Sequence, residues 1–138
     1  MDNGSRKVLL VYDGSSIANR ALQRTIERAR EIDASVTVLG VVPPRLWRAK
    51  EGQFVIPQEK HDEEFAHEQV RQARQAIAEA GVHTEGRVIT GPPVFVITEE
   101  AAQGYSIVVV AARPTATGSP DLAMLVRVPE GCELVAVS

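Results

Sequence analysis

The strongest constraint in this sequence is an alternation. Five short runs rich in Val, Ile and Leu are separated by stretches whose apolar residues recur at three- and four-residue steps. Residues 8–12 (VLLVY) and 35–42 (SVTVLGVV) are nearly continuous in apolar side chains, as strands covered on both faces are. Residues 107–112 (IVVVAA) form the most apolar stretch and suit a central strand, whereas 83–90 (HTEGRVIT) alternate and suit a sheet edge. The last run is 133–137 (ELVAV).

Between these runs, residues 17–31 place Ile17, Ala21, Leu22, Ile26 and Ala29 on one helical face, and 62–80 do the same with Ala66, Val70, Ala73, Ile77 and Ala80. Gly81 follows at once, where a left-handed cap is expected. A shorter helix over 93–103 has Pro93 in its first turn and Gly104 after its end. Ser119-Pro120-Asp121 reads as the start of a fourth helix: an N-cap, a proline at the first position and an acid in the first turn. The order β-α-β-α-β-α-β-α-β predicts an α/β fold, an open parallel sheet with helices on both faces. With 138 residues there is room for one core, so a single domain over 1–138 is expected.

Composition excludes several function classes. The net charge is −3 and the Lys and Arg residues form no basic stripe, so no nucleic-acid partner is expected. The longest apolar stretch is far short of the roughly 20 residues that span a bilayer, and the amino terminus lacks a signal peptide, so neither membrane insertion nor export is expected. Cys132, the single cysteine, fits a reducing, cytoplasmic setting and reads as a small core residue.

In a sheet of this kind ligands bind beyond the carboxyl ends of the strands. No two glycines are spaced as G-x-G, and no Gly-Lys pair exists, so the dinucleotide fingerprint and the P-loop are both absent. Asp13-Gly14-Ser15-Ser16 closes the first strand. Its acid can accept from a base or ribose, or form a plain Asx turn with a serine cap. Gly14-x-Ser16 begins a nucleophile elbow, but position 18 is Ala, and no histidine stands in the later loops to act as base. Residues 59–68 (EKHDEEFAHE) hold His and Glu at helical spacing, which a solvated helix face explains without a metal. In the long connection 43–61, the segment 43–50 carries three cations and Trp47, suited to closing over an anion or to covering apolar surface. In 94–97 (VFVI) every side of a helical turn is apolar, so Phe95 or Val96 is left outside the sheet-facing stripe as a partner contact.

Taken in order, these pieces resemble the universal stress protein family across nearly the whole chain. The carriers are 8–15 (VLLVYDGS), 38–42 (VLGVV), Gly91-Pro92-Pro93 with Ile97 and Ala101, 107–110 (IVVV), Gly118-Ser119, and Leu125 and Pro129 before the final run. The resemblance implies a Rossmann-like five-stranded sheet of order 3-2-1-4-5. It also implies a cytoplasmic homodimer, often paired through the last strand, here with Leu134, Val135 and Val137, and a role in stress response or regulation. Nucleotide-binding members hold AMP or ATP; the matching positions are Asp13, Gly14, Val41, Gly118 and Ser119. Their phosphate loop has the form Gly-x2-Gly-x9-Gly-Ser/Thr. Here Ala111 and Pro114 replace the first two glycines, and seven positions separate Ala111 from Gly118 where that motif has thirteen. Proline offers no amide hydrogen to a phosphate nest.

The expected function is therefore a non-catalytic, dimeric, stress-related domain whose ATP binding is lost or weakened, acting on a protein partner and needing no cofactor. An adenine-nucleotide sensor using Asp13 and Val41 is the alternative within the same family. A small α/β hydrolase is the second alternative.

Overall fold

The computed structural model describes residues 6–43, 58–112 and 126–138, with the backbone alone for 58–61. The elements are β1 (Lys7–Val11), α1 (Ser16–Ile32), β2 (Ser35–Val42), α2 (Gln58–Glu79), β3 (Thr84–Thr90), α3 (Pro93–Ala101), β4 (Ile107–Ala111) and β5 (Glu133–Val137). All strand pairs are parallel, in the order β3-β2-β1-β4-β5. The α/β sheet of order 3-2-1-4-5 is thus the one expected. β1, not β4, takes the middle, and β4 lies inside between β1 and β5. The expected fourth helix, Gly118-Ser119 and the Trp47 segment lie outside the described residues.

Strand alternation divides the core in two. Val8, Leu10, Val36, Val38 and Val109 point to one face, beneath α1 and α2; Leu9, Leu39, Val108 and Val110 point to the other, beneath α3. β1 is fully buried at Val8, Leu9 and Leu10, which is why its sequence shows no alternation.

α2 comes unusually close to the sheet. Val70 is buried against two strand glycines. Cβ atoms added at Gly40 and Gly86 would stand 3.0 Å from its Cγ2 and 2.6 Å from its Cγ1, respectively. In register, Gly40 faces Val88 and Gly86 faces Val38, so both glycines lie on the face that α2 covers. α2 also begins at Gln58, four residues ahead of the periodic stretch, because its first turn carries only polar and charged residues.

A second device ties the opposite face of the sheet. Glu100 of α3 is only 4% exposed, yet it meets Arg87 of β3 at 2.9 Å and accepts from the Tyr105 hydroxyl at 2.7 Å. Lys7 stands 5.0 Å from the centre of the Tyr105 ring. A buried carboxylate is tolerated because Arg87 pairs with it and its Oε2 accepts from both Arg87 and the Tyr105 hydroxyl.

Two outcomes follow. Gly86→Ala forces Val70 or Arg74 to shift and is expected to destabilise by about 1–3 kcal/mol in urea unfolding. Adding Val70→Ala to it is expected to cost less than the sum of the two single changes; strict additivity in that double-mutant cycle would show that the seam is not the cause. Burial, with the hydrogen bond to Glu100, pushes Tyr105 up from 10.0 to about 12. A raised phenol favours the protonated folded form, so its contribution is complete below pH 10 and lost as pH rises through about 12. Tyr105→Phe is expected to flatten the fall in stability across that window; an unchanged slope would contradict this.

Candidate functional site

The local chemistry begins where β1 ends. Gly14 adopts φ +82, a left-handed turn that any side chain would strain. Asp13 Oδ1 accepts from the Ser15 N–H at 3.0 Å, and Ser15 Oγ accepts from the Ala18 N–H at 3.1 Å, so the serine caps α1. The Tyr12 hydroxyl donates to Asn19 Oδ1 at 2.6 Å, and burial pushes that phenol up. These bonds fix the turn against the first turn of the helix.

β2 runs on past this point. Tyr12 N–H donates to the Leu39 carbonyl on one side, and Gly91 N–H donates to the Val42 carbonyl on the other. Successive residues of a strand present their main-chain groups to alternate sides, so Val41 N–H and C=O face the side of β1, above the turn where that strand has left the sheet. Asp13 and Val41, far apart in sequence, are brought together here.

They line one cleft of about 240 Å3. Tyr12, Asp13, Val41 and Val42 form its strand side, and Asp62, Phe65, Ala66 and Gln69 of α2 form the other. The Gln69 carboxamide lies against Gly14, with Cδ 2.7 Å and Nε2 3.4 Å from where a Cβ would stand. Two larger hollows lie elsewhere. One of about 580 Å3 sits between the carboxyl-terminal ends of α1 and α2, below the wrong end of the strands for a site of this fold. One of about 620 Å3 runs between α1 and β5.

The remaining expected residues fall as follows. Phe95 is 61% exposed on α3, whereas Val96 is 6% exposed and packs with Ile97 and Val110. Val96 is therefore a core residue and not a contact surface: its side chain points to the sheet that Phe95 turns away from. Leu134, Val135 and Val137 are half-buried on the edge strand β5. Cys132 is half-buried, and burial with the neighbouring Glu133 pushes its thiol up, away from nucleophile chemistry. His83 is exposed on β3's entry. Among the described side chains no imidazole lines the cleft, and no group of three metal-ligating side chains occurs. None of the described helices is long and apolar enough to cross a membrane.

Phe65 and Gln69 were not singled out by the sequence. Their helix reads there as a charged, solvated face, and only the crossing of α2 over Gly40 turns this part of it toward the cleft.

Comparison with known proteins adds the following. The sequence profile of the universal stress protein family matches residues 4–124. Among solved structures, the chain is similar to universal stress protein UspA from Lactobacillus plantarum (16% identity, 98% of this chain and 99% of that one, TM-score 0.67). It is similar to a universal stress protein from Archaeoglobus fulgidus in complex with dAMP (20% identity, 96% and 97% covered, TM-score 0.67). A universal stress protein in complex with cAMP is also similar (20% identity, 96% and 95% covered, TM-score 0.64). At these identities the likeness is one of fold. No curated protein matches the sequence.

Ser15→Ala removes the cap of α1 and is expected to cost about 1 kcal/mol of stability by thermal or urea unfolding. A change below the error of the measurement would mean that Asp13 and Gly14 hold the turn without it.

Proposed function

This chain belongs to the universal stress protein family, and we propose that it is a non-catalytic regulatory member that takes an adenosine monophosphate in the cleft above β1 and β2. The observation that carries the reading is the meeting of Asp13 and Val41 in one cleft at the carboxyl ends of adjacent strands. The cAMP and dAMP held by two similar folds support a nucleotide with one phosphate. The sequence supports the same limit, since Ala111 to Gly118 is short of glycine and contains Pro114. A chain with so few glycines and one amide fewer is a poor cradle for three phosphates.

Thermal unfolding with AMP tests this directly. At about 1 mM ligand and a Kd of about 10 μM, the folded state gains about 2.7 kcal/mol. The gain is expected to be no larger with ATP than with AMP, and to shrink for Asp13→Ala. The absence of a shift with any adenine nucleotide would refute the reading, and markedly tighter ATP binding would refute the one-phosphate limit.

As partner we propose a second copy joined along β5. Glu133 N–H donates to Ser106, and the Val137 carbonyl accepts from Ala112, so alternation turns the main-chain groups of Leu134 and Ala136 away from β4. An edge presenting such groups is a template for another strand. Ala136→Pro removes an outward N–H without touching the bonds to β4. Sedimentation is expected to show a dimer for the natural chain and a folded monomer for this variant; a monomeric natural chain would dispose of the pairing.

A further inference from the structure

We propose that α2 is the base-reading wall of the cleft, with Phe65 stacking on an adenine ring and Gln69 pairing with its amino edge. This rests on the nucleotide reading above and extends it to residues outside the β1 turn and β2. Asp62, Phe65, Ala66 and Gln69 follow one another at the spacing of a single helix face, and all four line the cleft.

Phe65 is 62% exposed, and with Phe95 it is one of two large apolar side chains so exposed among the described residues. Phe95 is on α3, across the sheet, whereas Phe65 borders the cleft. Its neighbours Glu63, Glu64, His67 and Glu68 are polar and exposed, so the ring is isolated on its helix and available to a flat partner. A nucleobase offers such a partner, because every base has a π-face.

Gln69 supplies selectivity. Its carboxamide is seated over Gly14, a position that the missing Cβ makes possible. A carboxamide carries an acceptor oxygen beside a donor NH2. Adenine presents an acceptor N7 beside a donor amino group, which such an amide pairs with twice, whereas guanine presents two acceptors there. The Asp13 carboxylate in the same cleft is acceptor-only when ionised and adds to the preference for an amino group. The cavity, about 240 Å3, lies below the roughly 300–1,000 Å3 of pockets that enclose a whole drug-sized ligand. That size suits the base, with ribose and phosphate outside it.

Calorimetric titration with AMP and with GMP, on the natural chain and on Phe65→Ala, Phe65→Tyr and Gln69→Ala, tests the assignment. Phe65→Ala is expected to weaken AMP binding roughly 5- to 150-fold, the range that loss of one stacked base spans. Phe65→Tyr keeps a ring and is expected to retain binding. Gln69→Ala is expected to narrow the preference for AMP over GMP by roughly 5- to 150-fold. Thermal midpoints without ligand report that the variants fold; Phe65→Ala is expected to hold its midpoint because the ring is exposed. AMP binding of natural strength by both alanine variants overturns the role of α2 and leaves the nucleotide reading standing. Equal binding of AMP and GMP by the natural chain overturns the role of Gln69. No AMP binding by the natural chain overturns both this inference and the function proposed above.

Discussion

The contact of Val70 with two glycines on neighbouring strands sets the geometry of everything above it. Gly40 and Gly86 lack the methylene that would hold a helix at ordinary distance, so α2 descends until its buried valine fills the space. Four residues earlier on the same helix, Ala66 stands 3.6 Å from the same vacant position at Gly40. One turn of α2 is thus anchored by small residues, and the side chains flanking it, Phe65 and Gln69, are delivered to the mouth of the cleft. A bulkier strand would lift the helix and take its contribution to the site with it. The fold and the site share one cause, and it lies in residues that carry no chemistry themselves.

Stability and binding are separated along the strands. Away from the cleft, the buried Glu100 is held by the half-exposed Arg87 of β3 and by Tyr105 at the entry to β4, a polar knot between α3 and the sheet. On the other face, Arg28 reaches Glu133 at 3.1 Å and fastens α1 to β5. The Arg28–Glu133 pair is partly exposed and contributes little by itself. The knot differs, because breaking one partner leaves a charge in the core. At the carboxyl ends of β1 and β2 the glue is instead the Asp13-Gly14-Ser15 turn, whose hydrogen bonds are local. Substitutions there alter a small part of the fold, which is the arrangement that lets a binding surface vary without loss of the scaffold.

The strands were legible because burial on both faces leaves long aliphatic runs that few other structures tolerate. The residues at the end of β1 were legible for the same reason: the strand must stop, and Asp-Gly-Ser is turn chemistry with a helix cap behind it. Other features were not. Val96 and Phe95 differ by one position, and in a turn that is apolar all round no sequence pattern says which of the two meets the sheet. Glu100 reads as an ordinary acid near a helix end, because its partners Arg87 and Tyr105 come from either side of it and meet only after the crossover. Phe65 sits in a run of acids whose natural reading is solvent, and its place beside Asp13 depends on a long-range crossing that periodicity does not encode.

These placements bear on how a member of this family with a short, proline-bearing segment after β4 can hold a nucleotide at all. Affinity for a polyphosphate comes mainly from amide donors and a helix terminus aimed at the anion. Removing donors from that end takes most from ATP, somewhat less from AMP, and nothing from the base. In the base-reading role proposed for α2, an aromatic ring and a carboxamide act at the other end of the ligand, away from the phosphates. In the reading proposed above, such a site is left with a preference for one phosphate over three, set by the segment after β4, and takes its preference for adenine over guanine from the helix wall.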